Sequence, residues 1–170
     1  MRLESLYTIR FFYPDGWQIN LTRKKGTEED DFYFDEGKCE GRITGKFRGS
    51  NHPHRRTDET FAMNIQGFIE TDDSALIMLD YQGYGRSSDR SQELYKLIPN
   101  TNPATKFPRQ VVGFAKHTTE SDKYRWLNDA VCAVAGEVRV PMEIPPEKLK
   151  QADVKLVFSV AEVIWESPPE

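Results

Sequence analysis

Only two cysteines occur in 170 residues. Cys39 and Cys132 lie far apart among apolar or small neighbours, so they read as buried thiols rather than as a zinc spacing or a bridge. A chain of this length buries a core without metals or disulfides, and a single domain spanning 1–170 in a reducing compartment is expected. Long apolar runs are missing too. No stretch approaches the roughly 20 residues of a membrane span, and the opening MRLESLYTIRFF carries charges at positions 2 and 4 with no unbroken apolar leader. The expectation is a soluble, cytoplasmic protein with no membrane partner. Positive charge is in deficit, with 23 Lys and Arg against 27 Asp and Glu and a formal net charge of −4. Nucleic-acid binders draw affinity from clustered cations that displace counterions, so no nucleic-acid partner is expected. Histidine is scarcer still, at three residues, which argues against a histidine-built metal centre; no metal and no cofactor are expected.

What the chain does have is period two. In GKCEGRITGKFRG the odd positions are Gly37, Cys39, Gly41, Ile43, Gly45, Phe47 and Gly49, and the even ones are Lys38, Glu40, Arg42, Thr44, Lys46 and Arg48. A helix would scatter those charges around its circumference and lose roughly 1 kcal/mol per interior glycine. A phosphate loop needs its glycines in a turn before a helix, and no helical pattern follows. One long strand is the better reading, with glycines on the concave side as closed barrels use them. The glycines would then bound a small-molecule cavity.

Two further strands flank Thr71-Asp72-Asp73-Ser74. A loop of Asp72 to Ser74 gathers Met63, Ile65, Gly67, Ile69, Ile77, Leu79, Tyr81 and Gly83 on one face, and it places Ser74 in left-handed backbone. The paired aspartates read as turn chemistry, because neighbours in a tight hairpin cannot flank a sugar bond from opposite sides. Other candidate strands are Leu3–Tyr13, Trp17–Thr22, Phe107–Thr118, Ala130–Val140 and Val154–Trp165, the last reached through a Pro-rich connection at 141–153. Short helical turns are expected over Ser91–Ile98 and Pro146–Gln151. Eight strands predict an all-β fold, a closed antiparallel up-and-down barrel without edges. Its mouth would carry the loops Pro14–Gly16, Ser50–Thr60, Ser87–Lys106 and Pro141–Asp153. The other end would carry Arg23–Glu36, the Asp72 hairpin, Thr119–Asp129 and both termini, with Trp126 and Leu127 as its floor.

Several of these segments carry a family resemblance: Gly41-Arg42 through Gly49 with Asn51-His52-Pro53, then Glu70 to Ala75, Tyr81 through Gly85, and Tyr124-Arg125-Trp126-Leu127-Asn128. On them the chain resembles the uncharacterised three-two-three-seven domain-of-unknown-function family, most clearly over 37–140. The resemblance implies an eight-stranded barrel similar in architecture to allene oxide cyclase and dirigent barrels. It implies no agreed activity.

The candidate chemistry sits at the mouth. His52 and Asp58 could move protons near neutral pH. Arg55 or Arg86, with Tyr81, could stabilise developing negative charge, and Asn51, Tyr7, Arg109 and Phe47 complete a substrate-binding set. The plainer reading of SNHPHRRTDET is a solvated loop in which Asp58 bonds its own turn. The leading expectation is a cofactor-independent isomerase, cyclase or lyase acting on an apolar or aromatic metabolite. A non-catalytic carrier is the alternative, and a barrel filled by Ile43, Phe47, Ile65 and Leu79 would mark a structural module. Outward Phe68, Leu76 and Met78 interrupt a polar face and predict a homodimer.

Overall fold

The structure, a computed structural model, describes residues 1–21, 28–58, 60–87, 109–139, 144, 148 and 150–167, the side chains of 86, 87, 109 and 151 excepted. Alternating inward and outward residues build ten strands: β1 (Arg2–Phe12), β2 (Gly16–Asn20), β3 (Glu29–Gly41), β4 (Gly45–Asn51), β5 (His54–Arg55), β6 (Phe61–Thr71), β7 (Leu76–Ser87), β8 (Arg109–Thr118), β9 (Cys132–Arg139) and β10 (Lys155–Ile164). Eight of them close a barrel in the order β1-β10-β9-β8-β7-β6-β4-β3, with β3 pairing back onto β1 and every neighbour antiparallel. The expected class and count hold. The staves, however, are not all the expected ones.

Gly37–Gly49 is two staves rather than one. The chain reverses at Arg42-Ile43-Thr44, so that Gly37 faces Phe47 and Cys39 faces Gly45. Three intervening residues preserve parity. Odd side chains therefore point inward on both sides of the turn, and Ile43 is fully buried in it. Gly41 enters the turn at φ 142°, where a Cβ would lie 2.6 Å from the Leu6 carbonyl oxygen.

The second departure is at Pro14. Both β1 and β2 pair with β3, as Phe12 opposite Glu36 and then Gly16 opposite Tyr33. Three residues on one side thus oppose two on the other, which is a bulge in one bent run and not a turn. Proline fits there because the ladder is already interrupted. In consequence residues 29–36, expected as loop, belong to β3; the part at 29–33 runs past β1 and is flanked by β2. Leu21 and Glu28, joined by a backbone hydrogen bond, lie at the same end as His54, opposite to the end expected for the segment beginning at Arg23.

The β6–β7 hairpin forms as expected. Glu70 faces Leu76, Ser74 N–H donates to the Thr71 carbonyl at 2.9 Å, and Ser74 lies at φ 66°. At the same end a 3-10 turn, Arg125–Asp129, buries Leu127 as a floor, while Trp126 is only partly covered, beneath the Arg42 guanidinium at 4.7 Å. Asn128 bonds both backbone groups of Thr119. Another 3-10 turn covers Gln151–Asp153, just beyond the expected one, and Ser91–Ile98 lies outside the described residues. Phe68, Leu76 and Met78 are exposed on the outer wall.

The interior is packed. Inward glycines are covered by rings from neighbouring strands: a Cβ on Gly67 would lie 2.7 Å from Phe47 Cε2, on Gly113 2.8 Å from Tyr81 Cε2, and on Gly136 2.6 Å from Phe158 Cδ1. The central hollow, between Phe11, Phe47, Tyr81 and Phe158, measures about 10 Å³, room for about one water. The glycines thus make space for the barrel's own aromatics, and the expected central ligand cavity is absent among the described residues.

Candidate functional site

Inward parity runs back along β3 from Cys39 through Gly37 to Asp35, Tyr33, Asp31 and Glu29. On this extension the polarity is inverted. Glu29, Asp31 and Asp35 are buried, whereas Phe34 is exposed on the outer side. A strand that turns its acids inward contradicts the ordinary pattern, and such violations concentrate at functional sites.

Neighbouring strands complete the cluster. β5 takes over from β4 beside β3 and sets Arg55 opposite Glu29. Arg55 Nε and Glu29 Oε2 lie 3.6 Å apart, both side chains 1% exposed. Gln18 donates to the same Glu29 oxygen at 2.7 Å, and the guanidinium lies over the Phe61 ring at 5.0 Å. Asn51, at the end of β4, donates through Nδ2 to the Tyr13 hydroxyl at 2.8 Å. The Tyr13 ring stacks on Tyr33 with centroids 4.5 Å apart and planes at 23°.

Two carboxyls in this cluster are unsatisfied. Among the described residues neither oxygen of Asp31 or of Asp35 has a hydrogen-bond partner, although the residues are 6% and 1% exposed. Tyr33 and Gln18 approach Asp31 without closing good bonds. Removal from water disfavours the charged form: burial pushes Asp31 up to about 6, with Arg55 nearby pulling the other way, and Asp35 up to about 8. Burial also raises the tyrosine hydroxyls of Tyr13 and Tyr33. Four residues apart on one strand, the two aspartates are about 13 Å apart at Cα and do not share a proton as a dyad would. Asn51 Oδ1 and the Tyr81 hydroxyl are further buried atoms without partners. Among the described residues no group of His, Cys, Asp and Glu is arranged to hold a metal ion.

Of the residues singled out in the sequence, Asn51 and Arg55 fall in this cluster. Tyr81 projects inside the barrel beside Gly83 and Gly113, and Phe47 belongs to the core. His52 lies on the outer surface, edge-on to Phe32 at 4.4 Å and 3.2 Å from the Ser50 hydroxyl. Asp58 is exposed as well. It accepts the Thr60 N–H at 3.1 Å and pairs with Arg56 at 3.0 Å; the backbone bond is the main reason its carboxyl sits below the usual range. The structure does not bring His52 and Asp58 together with Tyr81. Tyr7 lies toward the opposite end, its hydroxyl hydrogen-bonded to His117 Nε2 at 2.7 Å. The side chains of Arg86 and Arg109 lie outside the described residues, though their backbones sit where β7 ends and β8 begins, at the site's end of the barrel. Glu29, Asp31, Tyr33, Asp35 and Tyr13 were missed. For the four on β3 the signal was present, as odd-position spacing continuous with Gly37 and Cys39.

The family model for proteins of unknown function, DUF3237, matches residues 2–147. The chain belongs to the DUF3237 family. Solved structures share this DUF3237 fold across nearly their whole length. A protein of unknown function from Clostridium acetobutylicum ATCC 824 is similar with a TM-score of 0.71 and 17% identity, covering 96% of this chain and 100% of that one. A β-barrel-like protein from Acinetobacter baumannii AYE gives 0.63 and 20%, over 95% and 94%. An enzyme from Penicillium herquei gives 0.54 and 17%, over 94% and 93%. No curated protein matches the chain. At these identities the likeness speaks for the DUF3237 barrel and not for its chemistry.

Proposed function

We propose that this DUF3237 protein is a cofactor-independent acid–base catalyst of the isomerase, cyclase or lyase kind, acting on a small apolar or aromatic metabolite held at the β3 end of the barrel. The observation that carries the reading is the pair of buried, unpartnered carboxyls whose surroundings set them apart, about 8 for Asp35 and about 6 for Asp31. Near neutral pH Asp35 keeps its proton and is the donor, while Asp31 has released its own and is the acceptor. Titratable groups pushed apart in this way take opposite roles in proton transfer. The Tyr13–Tyr33 stack offers a flat wall to a ring, and Asn51 and Arg55 supply orientation and a positive charge for a developing enolate. The packed barrel beneath is a dry floor that strengthens each of these interactions. Because the described residues leave no ligand-sized hollow at the barrel's centre, substrate binds at this rim rather than inside. On this reading His52 and Asp58 have no part in the reaction.

The test is proton exchange. Enolisable ketones would be incubated with the protein in deuterated buffer and followed by NMR. Asp31→Asn and Asp35→Asn are expected to lower exchange by about 100-fold, within the usual range for loss of a general acid or base, and His52→Ala to leave it unchanged. A ketone that binds at the rim yet exchanges nothing would make the protein a carrier and end the catalytic reading.

A further inference from the structure

The outer wall directly behind Asp35 holds a second concave surface, a groove of about 410 Å³ bordered by Arg10, Phe12, Glu36, Lys38, Lys46 and Arg48. It lies open to solvent, so a ligand there would be held by charge more than by enclosure. The even positions of β3 face outward here, and the registers seat Lys38 between Arg10 on β1 and Lys46 on β4. Three cations stand side by side in one cross-strand row. Like charges directly opposite one another destabilise a sheet, so stability alone does not account for the row.

Carboxylates neutralise it only in part. Glu40 takes Arg10 at 2.6 Å. Lys38, Lys46 and Arg48 make no ion pair among the described residues: Glu36 opposite Arg48 and Glu70 opposite Lys46 do not close to bonding distance. With Arg10 and Glu40 matched, the groove keeps an excess of two positive charges on a chain whose formal net charge is −4. Phe12 closes one side, its ring covered by the Lys155 ammonium at 4.5 Å, which adds positive field from β10.

We infer that this groove binds a small molecule bearing two or more phosphoryl groups. The facing Cβ atoms of Lys38 and Lys46 are about 5 Å apart, so both ammonium groups reach one phosphoryl group. Arg48, two residues along the same face of β4 and about 7 Å from Lys46 at Cα, offers its two-pronged donor set to the next phosphoryl group. The site is independent of the acid–base reading, since no residue of the Asp31–Asp35 cluster lines it.

Inorganic pyrophosphate is the probe, titrated calorimetrically into the full chain at low salt, with citrate as a carboxylate comparison. One pyrophosphate per chain is expected, weakening as salt rises. Lys38→Glu and Lys46→Glu should each weaken it about tenfold or more, the worth of one lost charge-assisted bond. Lys116→Glu, on β8 across the barrel from β3, should leave it unchanged. Because Lys38→Glu also replaces two like-charge contacts by attractive ones, its melting temperature should equal or exceed that of the wild type, which separates lost binding from lost folding. Absence of binding at millimolar pyrophosphate, affinity retained in both lysine variants, or citrate binding as tightly would overturn the inference.

Discussion

Asp35 gives up hydration on folding and gains no hydrogen bond in return, so its cost to the fold depends on whether it is charged. Its folded pKa, about 8, lies above the ordinary carboxylate value. Both states are protonated below about pH 4, and the stability is then at its greatest. As pH rises the unfolded chain ionises first, and stability falls until the folded pKa is passed. Relative to Asp35→Asn, the wild type should therefore lose about 1 kcal/mol per pH unit between pH 4 and 8, as measured by urea unfolding across that range. A constant difference would contradict the buried, unpartnered state. Sterics set a second prediction at this scale. Gly67→Ala would bring a Cβ to 2.5 Å from the Arg48 carbonyl oxygen and 2.7 Å from Phe47 Cε2, and should destabilise by about 1–3 kcal/mol in the same assay.

At the scale of elements, hydrophobic alternation made most strands readable in advance, because Ile65, Ile69, Ile77, Leu79 and Tyr81 sort cleanly from their polar neighbours. It misread two places for a shared reason, that parity says which way a side chain points and nothing about where a strand turns. Ile43 keeps the odd-inward pattern across a reversal of the chain, so one hairpin looked like one strand. Pro14-Asp15-Gly16 has the composition of a turn but serves as a bulge, and only the long-range pairing of both β1 and β2 with β3 reveals it. The acidic stretch before Gly37 was hidden differently: Glu29, Asp31 and Asp35 point inward and Phe34 outward, so the segment resembled a solvated loop. Asn51 and Arg55 were readable as part of the site because their loop is rich in polar groups. The Ser74 turn, read correctly, yields a direct check. Ser74→Gly removes a side chain from left-handed backbone at φ 66° and should raise stability by about 1 kcal/mol, visible as a higher melting temperature.

Across the whole molecule the two ends of the barrel respond to pH in opposite directions. At the floor end His117, buried against Tyr7, is pushed down to about 4 by loss of hydration. A lowered histidine stabilises above its unfolded value near 6.5, and that contribution is lost as pH falls toward 4. The aspartate end behaves in reverse, weakening as pH rises. Between pH 4 and 6.5 the two slopes oppose each other, so His117→Gln should leave stability falling steadily from pH 4 to 8, whereas Asp35→Asn should leave it rising from pH 4 to about 6.5 and level above. Calorimetric melts from pH 4 to 9 would separate them, and identical profiles for both variants would refute the assignment of each slope to its own end.

The rings of Phe47, Tyr81 and Phe158 each occupy room that a glycine on an adjoining strand leaves open. Such partners cannot drift separately over evolutionary time. In distant lineages, a bulkier residue at position 136 should accompany a smaller one at 158, and the same joint substitution should link 67 with 47.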